Sequence, residues 1–168
     1  MSTTRVSLAS GELTARCPCS LLDLSSDPWP TAGVDGLIPV VLTWSGSRIQ
    51  SVRATSEATG LVLPRLVEPH AHLDKAFSWN EYPNPAGTYS GALAANFREH
   101  ETRTAAKVEL RGERCLQLAW QHGLRAVRSH IDSLGPAANC SWEVLSDLRN
   151  HWSERIELQL VALVPIEY

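Results

Sequence analysis

The chain has 168 residues, 43% of them hydrophobic and 20% charged, the make-up of a folded protein with a core rather than a disordered or fibrous one. A formal charge of -3, from 15 Lys and Arg against 18 Asp and Glu with no block of either sign, argues against nucleic acid as a partner. No run approaches the roughly 20 apolar residues of a membrane span, and the first five residues lack the apolar stretch of a secretory signal, so a cytoplasmic protein with no membrane partner is expected.

Residues 5–63 read as short strands at 6–8, 11–15, 37–44 and 48–54, with a turn at Ser45-Gly46-Ser47 and a Ser, Pro, Asp and Gly-rich loop over 23–35. Four cysteines, Cys17, Cys19, Cys115 and Cys140, are too few and too irregularly spaced for a disulfide framework, and Cys17-Pro18-Cys19 has no second pair at zinc-ribbon spacing, so it reads as strand or turn. After Pro64 strands alternate with helical stretches, the sequence form of βα units around a parallel sheet. The boundary falls there, giving domains over 1–64 and 65–168.

In the second region a strand at 66–72 leads into a connection from 74 to 103, far longer than an ordinary βα loop, which suggests an active-site lid with a helix over 91–100. Thr104 caps a helix running to His122, with Leu110, Leu116 and Ala119 or Trp120 facing inward and Gly123 as its stop. A strand over 124–131, a helix from a Ser141 cap through Trp152 and a strand over 156–164 complete the series. His100, His122 and His151 fall in helical stretches and read as exposed. Trp79 and Tyr89 either stack on a flat ligand or pack the loop.

The chemistry concentrates in Glu68-Pro69-His70-Ala71-His72-Leu73-Asp74-Lys75. Strict strand alternation puts Glu68, His70, His72 and Asp74 on one face and Val67, Ala71 and Leu73 on the other. Two imidazoles about 6.6 Å apart on one strand face can converge on one cation. A bare His-any-His triplet carries little weight, but this one ends an apolar strand, precedes a long loop and opens a βα series, where barrel enzymes assemble their catalytic groups. The competing reading is two hydrogen-bonded histidines at a strand end. On the next strand alternation groups Arg128, His130 and Asp132 away from the helical layer. His130 and Asp132 are then either substrate-side or ligand-orienting groups beside a metal, or Asp132 is a structural ion-pair partner of Arg128.

The stretch Leu63-Pro64-Arg65-Leu66-Val67-Glu68-Pro69-His70-Ala71-His72-Leu73-Asp74 resembles the first barrel strand of the amidohydrolase superfamily, nearest its cytosine deaminase branch. Gly87-Thr88, Trp120 to Gly123 ahead of Val127-Arg128-Ser129-His130-Ile131-Asp132, and Leu158-Gln159-Leu160-Val161-Ala162 follow in that family's order. The resemblance implies an α/β fold: the first three βα units of a TIM-type barrel, preceded by strands of a small β-sandwich. It implies a metal-dependent deaminase acting on a nitrogen heterocycle. His70 and His72 would hold a divalent zinc or iron ion, and metal-bound hydroxide would attack a ring carbon as ammonia leaves. Glu68, Asp74, His130, Asp132 and Pro165 would be substrate-side or supporting positions. The family's remaining ligands, a histidine on strand five and an aspartate on strand eight, and its proton-shuttling glutamate would lie beyond Tyr168, so no catalytic proton shuttle is expected within 1–168. The zinc deaminases with a His-any-Glu and a Pro-Cys-two-Cys signature are excluded, since neither occurs.

Two positions depart from the cytosine deaminases: Pro165 stands where they carry a glutamine that reads the pyrimidine edge, and Lys75 where threonine is common. Proline offers no side-chain donor or acceptor, so a small-molecule substrate other than cytosine is expected. The complete protein could form a homo-oligomer. The alternative is a truncated, non-catalytic remnant serving as a binding or assembly module, because a complete barrel takes about 250 residues.

Overall fold

Alternating apolar and polar residues early in the chain build an antiparallel sheet in the order β1-β2-β3, from β1 (Gly11–Pro18), β2 (Leu37–Ser45) and β3 (Arg48–Ala54). The computed structural model describes residues 9–25 and 28–164, so the strand expected at 6–8 lies outside the described residues. Gly46 takes φ +60° in the tight β2–β3 turn, a conformation that glycine adopts without steric cost. Cys17, Ile38 and Val40 form the small core of this unit, with Trp29 and Val52 packed on it. Cys17-Pro18-Cys19 closes β1 and opens a single 3-10 turn, Cys19–Leu21, with both thiols free.

The chain divides into two units, Met1–Pro64 and Arg65–Tyr168. In the second, three parallel strands lie in the order β4-β5-β6: β4 (Leu66–Ala71), β5 (Leu124–Asp132) and β6 (Glu157–Leu163). Helices α1 (Tyr89–Glu101) and α2 (Ala105–Gln121) connect β4 to β5, and α3 (Ala137–Trp152) connects β5 to β6. One face of the sheet buries Val127, Ile131 and Leu158 against Val108 and Leu116 of α2 and Leu145, Leu148 and Trp152 of α3. Each such side chain contributes about 1.5–3 kcal/mol by leaving water. Helix α2 approaches α3 closely at Gly112, where an added Cβ would meet Leu148 Cδ1 at 2.6 Å. On the opposite face of this sheet Val67, Val161 and Leu163 are exposed among the described residues, as are Leu66 and Val164 at the strand ends.

Several local expectations need correction. The first lid helix is longer than 91–100, because Thr88 accepts from Gly91 N at 3.1 Å and starts the helix at Tyr89. In α2 the Thr104 cap and the Gly123 stop, at φ +80°, hold. Its buried stripe, however, is Val108, Arg111, Gly112 and Leu116, and Leu110 is 73% exposed. Leu110 lies two residues from Val108, about 200° around the helix, and so faces out. Ser141 does not cap α3; the helix begins at Ala137 after Pro136, and Ser141 lies fully buried inside it. His122 and His151 are exposed, but His100 is half-buried.

Candidate functional site

The first strand of the parallel sheet does not alternate strictly. Its register pairs Val67 with Ala126 and Glu68 with Val127, then passes to Ala71 opposite Ser129, setting three steps of β4 against two of β5. Pro69 sits inside this bulge, where it has no N–H to give to the ladder. Two consequences correct the single-face expectation. Glu68 aligns with helix-facing Val127 rather than with His70 and His72, and its Oε1 accepts a hydrogen bond from His70 N at 2.9 Å. The strand also ends at Ala71, and a 3-10 turn, Leu73–Lys75, carries Asp74 into the interior, where it is fully buried.

His70, His72 and His130 meet at this end of the sheet. The rings of His70 and His72 lie edge to face with centroids 5.2 Å apart, and His70 stacks on His130 at 4.1 Å with 22° between the planes. His72 Nδ1 lies 2.8 Å from the His130 main-chain oxygen. A carbonyl only accepts, so Nδ1 carries the proton and the Nε2 lone pair is left available. This is how metal-binding histidines are usually oriented. Burial first, and then the charge of Lys75, hold the His72 imidazole below its usual range and keep it neutral at pH 7. The donor set therefore fits a borderline divalent ion such as zinc or iron, but only as part of a coordination sphere. Among the described residues no group of three or more His, Cys, Asp and Glu side chains is arranged to hold a metal.

Next to the histidines lies a charged network that the sequence did not disclose. Arg103, at the α1–α2 corner, donates to Asp74 Oδ2 at 2.8 Å, Glu99 Oε2 at 2.9 Å and Asp132 Oδ2 at 3.2 Å, with its side chain fully buried. Arg111 pairs with the other oxygen of Glu99, and Lys75 Nζ donates to both oxygens of Asp132, at 2.8 and 2.9 Å. Asn96 on α1 adds a fourth contact to Asp132. Burial raises the Asp74 carboxyl above the ordinary range, despite Arg103 opposing it. Burial pushes the same way on Asp132, but the hydrogen bonds and charges of Lys75 and Arg103 outweigh it and hold that carboxyl low.

Asp132 is thus an ion-pair partner, but of Lys75 and Arg103; Arg128 instead donates to Gln159 Oε1 at 3.0 Å. Trp79 is 60% and Tyr89 84% exposed, so neither packs the loop interior. Pro165 lies outside the described residues. Of the groups the sequence missed, Glu99 and Arg103 carry one signal, their i,i+4 spacing. Nothing in the local sequence marks them as buried.

No protein-family model matches the chain. A pterin deaminase from Rhizobium rhizogenes (strain K84 / ATCC BAA-868) is 38% identical over 135 residues, 80% of this chain and 31% of that protein. The crystal structure of 5-methylcytosine deaminase from Klebsiella pneumoniae liganded with 5-fluorocytosine superposes with a TM-score of 0.67 at 21% identity, covering 90% of this chain and 36% of the other. The same protein liganded with phosphonocytosine gives 0.66 at 18% identity, covering 89% and 36%. The chain spans about a third of the length of these relatives, and the structural likeness bears on the fold alone.

Proposed function

We propose that the chain, similar in sequence to a pterin deaminase and in fold to 5-methylcytosine deaminase, supplies the two-histidine side of a divalent-metal centre in a hydrolytic deaminase of the amidohydrolase superfamily acting on a nitrogen heterocycle. The observation that carries the reading is the His72 tautomer. Its Nδ1–H is committed to the His130 carbonyl, and the Nε2 lone pair is free beside His70 at the C-terminal end of a parallel strand. A divalent ion held there supplies activated water at neutral pH. The chain's own residues bind and orient. His70 and His72 offer the donors, Glu68 fixes the His70 main chain, and the Asp74–Arg103 pair anchors the turn that follows His72. On this proposal the remaining ligands and the proton shuttle come from residues beyond Tyr168, completing a barrel whose first three βα units are β4 to β6.

The substrate class rests on the relatives, one a pterin deaminase and one a 5-methylcytosine deaminase, together with Pro165 in place of a side chain able to read a pyrimidine edge. A pterin or related heterocycle is therefore proposed ahead of cytosine. The test uses the whole protein. Elemental analysis should find about one divalent ion per chain, lost in the His70→Ala/His72→Ala double variant, and ammonia release across pterins, pyrimidines and triazines should be highest with a substrate other than cytosine. Unchanged metal in the double variant would remove the reading, and cytosine as best substrate would remove the substrate assignment.

A further inference from the structure

We propose that His130 is a positioning residue that sets both metal-binding histidines of the β4 end, one through its main chain and the other through its ring, and is not itself a ligand. The inference rests on the two-histidine reading above and goes beyond it by assigning a role to a third imidazole. Its main-chain part is the 2.8 Å bond from His72 Nδ1 to the His130 oxygen. Its side-chain part is the stack on His70.

His70 needs such support more than His72 does. Within residues 1–168 His70 is exposed, it lies in the bulged part of β4, and its ring has no hydrogen-bond partner of its own among the described residues, the Glu68 carboxylate being engaged by its main-chain N–H. An imidazole free to turn must give up rotamer freedom when it binds a metal, and the stacked ring removes that freedom in advance. The His130 ring is held in turn by the strand, between the fully buried Ser129 and Ile131 on the central member of the sheet.

The same geometry argues against His130 as a ligand. Imidazole lone pairs lie in the ring plane, and a cation bonds them at about 2.0–2.1 Å. Two rings stacked nearly parallel at 4.1 Å cannot both aim in-plane lone pairs at one ion, because an ion between them would lie well out of each plane. His70 and His72, at 62° to each other, can converge.

Zinc affinity of the whole protein, measured by chelator competition on metal-free samples, tests the assignment in four variants. His130→Ala and His130→Leu keep the main-chain oxygen but lose the flat ring, and each is expected to bind zinc about tenfold more weakly. His130→Phe keeps a flat ring without a nitrogen and is expected to restore most of the loss. If the alanine protein does not fold, the leucine and phenylalanine pair decides, since both fill the site and only one can stack. Phenylalanine binding as weakly as leucine would overturn the inference and make His130 a ligand. Wild-type affinity in the leucine variant would overturn it too, by showing that the ring does nothing. The His70→Ala/His72→Ala protein separates the two claims. Retention of zinc there sinks the metal-centre reading, whereas loss of zinc there with wild-type binding in His130→Leu sinks only the role of His130.

Discussion

Arg103 shows how much a single side chain carries when it has no exposure to water. Its guanidinium joins Asp74, Glu99 and Asp132, so Arg103→Met leaves buried carboxylates without compensation and is expected to destabilise the protein by about 3–5 kcal/mol in urea unfolding. The two aspartates respond oppositely to acid. Asp132 titrates below its ordinary 3.8, so its contribution is present above that value and is lost as pH falls through the lower, folded one. Asp74 titrates above 3.8, so its contribution is complete below that value and is lost as pH rises through the folded one. Asp132→Asn should therefore lower stability at pH 7 while flattening its fall below about pH 4, and unfolding curves at a series of pH values check this; an acid limb as steep as the wild type's would count against it. At this scale the His70 and His72 pair was legible, since spacing and strand position are local. Arg103 was not, because burial is conferred by elements distant in sequence, and Asp74 was misplaced because alternation was extended past the point where the strand ends.

Helix ends were readable in α2 alone: Thr104 accepts from the main-chain N–H three residues on, and Gly123 takes the left-handed backbone that ends the helix. Thr88 makes the same cap in α1 and starts it two residues ahead of the expected 91. Ser141 misled because serine also tolerates burial inside a helix, and the actual start follows Gly135-Pro136, where proline's fixed φ suits the first turn. The inward stripe of α2 was half legible. Leu116 announced itself, but Gly112 and Arg111 have the composition of a solvent face and are buried by close approach to α3 and by the Glu99 pair. A mid-helix glycine costs roughly 1 kcal/mol against alanine, a cost offset here by the proximity it allows. Gly112→Val forces Leu148 aside and is expected to destabilise by about 1–3 kcal/mol; a variant as stable as the parent in urea would show that the α2–α3 contact yields easily.

Over the whole molecule, the change from short strands to strands alternating with helices was legible as a change of hydrophobic period, while the bulge at Pro69 and the polar anchoring of α1 emerged only in three dimensions. The open sheet face and the outer edges of β4 and β6 expose Leu66, Val67, Val161, Leu163 and Val164, and unpaired apolar edges recruit other chains. Residues 1–168 expressed alone are expected to self-associate on gel filtration, and a monodisperse monomer would contradict that. The anchoring of α1 has a consequence for motion. Of the apolar side chains of α1 only the small Ala95 is buried, and none joins the main cluster among the described residues; Leu93 and Phe97 are exposed, and Asn96 and Glu99 tie the helix down through Asp132, Arg103 and Arg111. Amides in α2 and α3 should then exchange with deuterium only when the unit unfolds globally, whereas those in α1 exchange through a local opening that releases this one helix and leaves the sheet intact.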